Sequence, residues 1–381
     1  MIPLLFPHII GNEWKYVKDC LDSGWISSAG SYVNEFEQKV ADYVGSKYGI
    51  ACMNGTVGLH ISQLLAGIEP DDYVITSNIT FIATLNAIKY TGANPILIDV
   101  NKTNWQMDLD LLNDFLTKNT IFKDGKDGKQ THLKINMKRI KGIMPVHVLG
   151  NASNIDKLVE IAKNFNLEII EDSTESLGTF YKNKHTGTFG KFGVFSFNGN
   201  KIISTGGGGV IVTDNEELAK KAKHLTTQAK ASQMEYIHDE IGYNYRLVNV
   251  LAAIGVAQME EFPTLLENKQ KMDYYYRSEL SGIGDIVFQE IDANVSPNCW
   301  LFTFKTKEMR PLLKFLNENG IQSRPFWMPM NQLEMFKKDL YITENDNSSE
   351  IYKSCISIPS SAGITQEQMG EVVAKIKEFY N

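Results

Sequence analysis

Residues 193–209 read GVFSFNGNKIISTGGGG, and they set a lysine just past the end of a buried strand. Val194, Phe195 and Phe197 form an apolar, strand-like run that breaks at Asn198, Gly199 and Asn200. Lys201 follows, then an apolar pair, then four glycines. A lysine on a turn is ordinarily solvated. Three features argue for more here. An α/β sheet gathers its ligands at the carboxyl ends of its strands. Glycines on both sides allow close approach of a flat ligand. Ser196, in the strand itself, carries a hydroxyl able to bond a phosphate. The glycine run is no dinucleotide fingerprint, because the VIVTD behind it reads as a strand; it is a device for a turn or for close packing.

Working outward, the first two-thirds of the chain alternate strands with helices. Residues 48–53 (YGIACM) read as a short buried strand, followed by Asn54, Gly55, Thr56 and a helix through Leu65. Further strands are expected at Tyr73, Pro95, Arg139 and Leu167. Between them, NIDKLVEIAKNF sets Ile155, Leu158, Val159, Ile161 and Ala162 on one helical side. The alternation predicts an α/β large domain, residues 1–250, around a mostly parallel sheet. Residues 117–141 are basic, polar and glycine-punctuated, and read as an exposed insertion. A helix from about Val248 to Lys269 leads out of the large domain. Strand-like NCWLFTFKT, a helix near residues 310–319 and a last helix from Thr365 predict a small α+β domain, residues 251–381.

The chain has 381 residues, of which 43% are hydrophobic and 22% charged, with a formal net charge of -7. That balance is ordinary for a soluble enzyme and argues against nucleic acid or an anionic membrane as partner. A phosphorylated ligand remains compatible, since backbone amides hold phosphate without bulk charge. No apolar run approaches the ~20 residues that span a bilayer, and the first residues lack a basic n-region. Cys20, Cys52, Cys299 and Cys355 are scattered, which reads as free thiols in a cytoplasmic protein. The histidines, His147, His185, His224 and His238 among them, show no metal spacing, so no metal is expected.

Asp172, in IIEDSTES, ends another expected strand. A buried carboxylate is unfavourable without a cation or donors. One reading is a loop acid or an N-cap; the other is a partner for a protonated heterocycle nitrogen, as pyridoxal phosphate requires. The Asn54–Gly55–Thr56 turn between strand and helix suits either a plain N-cap or phosphate on backbone amides. Phe81, after the next strand, is either core or a ring that stacks on another.

Together the motifs NGTVGLH at Asn54, TFIA at Thr80, EDSTES at Glu171, the block from His185 to Gly209 and IGYNYRL at Ile241 resemble the DegT/StrS family of pyridoxal-phosphate-dependent nucleotide-sugar aminotransferases. The resemblance runs over nearly the whole chain. It implies the aspartate-aminotransferase-like fold (fold type I) and pyridoxal 5'-phosphate as cofactor. It places Lys201 as the Schiff-base lysine, Asp172 at the pyridine nitrogen and Phe81 on the ring. It assigns Gly55, Thr56 and Ser196 to the phosphate. Asn244 matches an asparagine that reaches the phosphate of the neighbouring subunit, implying a homodimer with shared sites. Glu175 stands where many members have glutamine, near the phenolic oxygen. Trp25 and Ser27, in SGWISSAGSYVNEFE, approach the sugar in such a scheme. The polar insertion and FSFNGNK are similar to the branch serving bacillosamine- and legionaminic-acid-type pathways. The implied reaction moves an amino group from glutamate to a UDP- or GDP-linked 4-keto-6-deoxy-2-acetamido sugar. Members that dehydrate carry histidine at the lysine position, so Lys201 speaks against that alternative, while a binding-only sensor would keep the cofactor without turnover. Family members often have a histidine near RPFWMPMN, where this chain has Asn331.

Overall fold

Apolar strands separated by amphipathic helices bury one sheet between two helical layers, and this is what the computed structural model shows over residues 1–125, 128–232 and 234–381. The N-terminal helices α1 (Glu13–Ser23) and α2 (Ser31–Val44) precede β1 (Tyr48–Cys52) and α3 (Gly55–Leu65). Next come β2 (Tyr73–Ser77), α4 (Ala83–Tyr90), β3 (Asn94–Ile98) and α5 (Leu109–Asn119). A hairpin of β4 (Thr120–Gly125) and β5 (Gly128–Leu133) leads to β6 (Arg139–Met144), α6 (Ile155–Asn164) and β7 (Glu168–Asp172). Short strands β8 (Phe180–Tyr181) and β9 (Lys184–His185) precede β10 (Phe192–Ser196), β11 (Gly209–Thr213) and α7 (Glu216–Thr226).

The path through the main sheet is β1, β11, β10, β7, β6, β2, β3. Pairs from β10 to β3 are parallel, whereas β11 runs antiparallel to both of its neighbours. Side-chain alternation sorts the two faces. Phe195, Val210 and Val212 pack with Phe36, Val40, Ala252 and Val256 on one side. Val194 and Ile211 pack with Leu59, Ile61 and Ile88 on the other.

Helix α8 (Asn249–Leu280) is 32 residues long, well beyond the expected end near Lys269, and it continues through Pro263. Its first half packs Ala252, Val256 and Phe262 on the main core. Its second half packs Met272, Tyr276 and Leu280 on the C-terminal elements. These are β12 (Val287–Phe288), β13 (Val295–Ser296), β14 (Thr303–Lys305), α9 (Met309–Glu318), β15 (Arg324–Pro325), β16 (Leu340–Ile342), α10 (Asn347–Ser354), β17 (Cys355–Ser357) and α11 (Gln366–Tyr380). Strands β12, β14, β17 and β15 form a separate four-stranded sheet. Strand β16, although late in the chain, joins the main sheet parallel to β3, and Ile2 bridges to Ile321.

Three local expectations change. Residues 117–141 are not merely an exposed insertion: β5 pairs antiparallel with β6, Thr131 and Leu133 are buried, and the Thr131 hydroxyl donates to the Phe165 carbonyl. The period-two placement of Thr131 and Leu133 turns one side of a polar strand inward. NCWLFTFKT is not one strand, because Cys299 has a left-handed φ of 54° and only Thr303–Lys305 pair. Val159 lies on the exposed side of α6 rather than with its buried apolar residues. Among the described residues, no helix is long and apolar enough to cross a membrane.

Candidate active site

The loop that carries Lys201 is closed by its own strand end. Phe197 donates its N–H to the Gly208 carbonyl at 2.9 Å and accepts from Thr205 N at 2.9 Å. Within that closure Lys201 N donates to the Asn198 carbonyl at 3.0 Å. The side chain turns inward, and its Nζ lies 4.0 Å from the centre of the Trp300 ring. Burial pushes the Lys201 ammonium below the ordinary lysine value, against the pull of Glu175 and Asp172. Glu175 moves the other way, to about 7, because burial outweighs Lys201 and the Leu149 amide, while Asp172 adds repulsion. The Leu149 N–H donates to Glu175 Oε2 at 2.8 Å.

The neighbouring acids Glu171 and Asp172 point to opposite sides, as successive residues of a strand must. Glu171 Oε2 accepts from His147 Nε2 at 2.9 Å and Gly187 N at 2.7 Å. Its Oε1 accepts from Phe189 N at 2.6 Å and Gly190 N at 2.8 Å. Burial alone raises the Glu171 pKa, but the His147 bond and these amides outweigh it and hold the carboxyl below its ordinary range. Asp172 is 2% exposed, so it is no solvated loop acid. Its Oδ2 accepts from Thr84 Oγ1 at 2.7 Å and its Oδ1 from Thr174 N at 3.2 Å.

At the head of α3, Asn54 caps the helix by accepting from Val57 N at 3.0 Å. That leaves the amides of Gly55 and Thr56 at the positive end of the helix dipole. Close packing requires glycine at two places. A Cβ on Gly209 would stand 2.6 Å from the Asn54 carbonyl carbon, and one on Gly55 would stand 2.9 Å from Thr174 Cγ2 and 3.2 Å from Ser196 Cβ. The chain therefore keeps a small cradle between the helix head, Thr174 and Ser196.

One cavity of about 550 Å³ collects Gly55, Thr56, Phe81, Glu175, Ser196 and Lys201. Phe81, 55% exposed, is wall rather than core. Asp172 lies behind that wall, within electrostatic reach of Lys201 and Glu175. Trp25, Ser27 and Asn244 do not line the cavity. All three are exposed. Trp25 and Ser27 are pinned through their carbonyls to Asn249, at 2.7 Å each, and Asn244 bridges to Thr227. The structure adds Asn198, Asn200, Trp300, Arg324 and Trp327 to the wall. Asn331 turns away to Asn78, accepting from its Nδ2 at 2.9 Å and donating N–H to its Oδ1 at 3.0 Å. Asn198 and Asn200 lie in the block around Lys201, and Arg324 and Trp327 in RPFWMPMN; Trp300 carries no motif of its own.

The donor set fits pyridoxal phosphate. Two helix-head amides, a cradle that a methyl group would fill and the Ser196 hydroxyl suit a phosphate. A buried carboxylate, a buried amine and an aromatic wall suit a charged heterocycle that bonds a lysine.

Comparison with known proteins agrees with this chemistry. The model of the DegT/DnrJ/EryC1/StrS aminotransferase family matches residues 7–377. The chain is 35% identical over 383 residues to a GDP-perosamine synthase of Escherichia coli O157:H7, covering 100% of this chain and 99% of the relative. It is 34% identical to the GDP-perosamine synthase of Vibrio cholerae, covering 100% of both. A DegT DnrJ EryC1 StrS aminotransferase from Brucella abortus shares the fold, with a TM-score of 0.88, 24% identity and coverage of 97% of this chain and 95% of that one. The chain belongs to the DegT/DnrJ/EryC1/StrS aminotransferase family, whose sugar aminotransferases use pyridoxal phosphate.

Proposed function

We propose that the chain moves an amino group from glutamate to the 4-keto position of a 6-deoxy sugar carried on a nucleoside diphosphate. The observation that carries this reading is Lys201 and Glu175 in one cavity beside the free head of α3, with Asp172 within their electrostatic reach. The bound cofactor supplies an electron sink for the carbon that loses its proton. Asp172, held by Thr84 and Thr174, presents its carboxylate to the ring nitrogen. Gly55, Thr56 and Ser196 take the phosphate. Lys201 anchors the cofactor, and once released its Nζ, less basic than an ordinary lysine, takes the proton from the donor's α-carbon. Glu175, near neutrality, holds or yields a proton beside the phenolic oxygen.

The relatives from Escherichia coli O157:H7 and Vibrio cholerae are named GDP-perosamine synthases, which favours a GDP-linked sugar over the substrates of the bacillosamine and legionaminic-acid branch. A second copy of the chain completes the proposed site. Asn244 reaches toward the partner's phosphate, and Trp25 and Ser27 toward the partner's sugar. Exposed apolar residues on the same segments support this, with Trp14, Trp25 and Ile26 near α1, and Tyr236 and Ile241 in the loop before α8.

The deciding test is visible absorbance with pyridoxal phosphate for wild type and Lys201→Ala, followed by glutamate and then GDP- or UDP-linked 4-keto-6-deoxy sugars. Wild type is expected to form a band that glutamate bleaches and a GDP-linked ketone restores. Identical spectra for wild type and variant sink the reading.

A further inference from the structure

The side chain packed on the Lys201 amine is Trp300, far along the chain and outside every motif. Its ring is 3% exposed and lies 4.0 Å from Lys201 Nζ. Three hydrogen bonds from three parts of the fold hold it. Trp300 Nε1 donates to the Asn200 carbonyl at 2.7 Å, directly before Lys201. Trp300 N donates to Asn298 Oδ1 at 3.0 Å. The Trp300 carbonyl accepts from Lys269 Nζ at 2.7 Å.

Both supports reach further. Asn298 Nδ2 donates to the carbonyls of Glu175 and Leu177, at 2.8 Å each. The indole is thereby registered against Glu175 as well as Lys201. Lys269 is 1% exposed on α8 and also donates to the Ser360 carbonyl. Among the described residues it has no carboxylate partner. A buried lysine spent on two carbonyls is an expensive way to fill a core. It makes sense if the carbonyl it holds must not move.

Resting on the reading that Lys201 carries the cofactor, we propose that Trp300 is a positioning residue for that lysine: its indole face receives the Lys201 ammonium whenever the amine is not covalently engaged, and Lys269 holds the indole in place. The ring's negative face attracts a cation most strongly where water is excluded. The seat keeps Nζ beside Glu175 instead of letting a four-carbon stem wander into the cavity. Other charged groups around the amine are Asp172 at the end of β7, Glu175 in the turn after it and Arg324 of β15 along the cavity wall. Lys269, at the Trp300 carbonyl, has the Cys299 thiol within electrostatic reach.

The test titrates Lys201 in the full-length protein, labelled with ε-¹³C lysine and with the resonance assigned by Lys201→Ala. It is run on the cofactor-free protein and on the holoenzyme after glutamate. Trp300→Leu removes the face and is expected to lower the Lys201 midpoint by about half to one and a half pH units, the size of a desolvated cation–π contact. Lys269→Met should shift it in the same direction. Trp300→Phe, which keeps a face but loses the Nε1 bond, should stay close to wild type. An unchanged midpoint in Trp300→Leu overturns the proposal, and so does a Trp300→Phe shift as large as that of Leu. If pyridoxal phosphate leaves the wild-type Lys201 resonance untouched, the functional reading fails instead, and the cofactor-free titration still decides the seat.

Discussion

Thr84 donates its hydroxyl to Asp172 Oδ2 across 2.7 Å, tying the first turn of α4 to the end of β7. Both side chains are buried, and Thr80 Oγ1 lies 2.6 Å behind Thr84 Oγ1 as the next member of the chain. The acid proposed to meet the cofactor ring is therefore oriented by the Thr84 hydroxyl of α4, itself bonded to Thr80 just before that helix.

Replacing Thr84 by valine keeps the shape and deletes the donor. Leaving a buried carboxylate short of one bond costs about 1–3 kcal/mol. Thermal unfolding of the cofactor-free protein should show that loss, and pyridoxal phosphate should be released faster than from wild type. A variant as stable and retentive as wild type would show that Thr84 does not orient Asp172.

Glu175 gives a prediction with a definite sign. Its folded pKa of about 7 lies above the ordinary glutamate value of 4.5. The folded protein therefore holds a proton that the unfolded chain loses, and stability falls as pH rises between these values. In Glu175→Gln this contribution is absent. The stability of cofactor-free wild type minus that of the variant should decline from pH 4.5 to about 7 and then level off. A flat difference across that window means the carboxyl is not held protonated.

The cradle at the head of α3 can be filled without touching Lys201, Asp172 or Glu175. In Gly55→Ala the new methyl would press on Thr174 and Ser196. Affinity for pyridoxal phosphate should drop about tenfold or more, the effect of displacing a charge-assisted contact. The melting temperature of the cofactor-free protein should move by only a few degrees. Unchanged affinity would move the phosphate elsewhere.

Arg324 lines the same cavity, and among the described residues its guanidinium meets only a carbonyl, that of Ser323 at 3.2 Å. Both proposed substrates are anions. Arg324→Ala is expected to raise KM for one of them by about tenfold or more, with kcat changed less. Added salt should weaken wild type more than the variant. Equal loss in kcat and kcat/KM would instead place Arg324 in the chemical step.

Several elements were legible because they are written in local pattern. The strands at Tyr48, Tyr73, Arg139 and Leu167 show short apolar runs bounded by turn residues, and α6 shows its period. The Lys201 loop is legible because a cation after a buried strand and before four glycines breaks the usual order. Other features were not. Residues 117–141 look polar, yet alternate side chains turn inward once β5 has β6 to pair with. Glu171 and Asp172 are equivalent as adjacent acids until the loop at Gly187–Gly190 supplies amides to one and Thr84 supplies a hydroxyl to the other.

By itself, the sequence determined the alternation of strands and helices that makes an α/β chain, the membership in an aminotransferase family and the candidacy of Lys201 and Asp172. Each depends on neighbours within a turn or two, or on motifs kept in order along the chain. Tertiary structure alone decided that β16 closes the edge of the main sheet, that Trp300 seats Lys201 and that Lys269 holds Trp300. These are contacts between residues 30 to 250 positions apart. Periodicity tells a side chain which face to take, but only the folded packing supplies the partner it meets there.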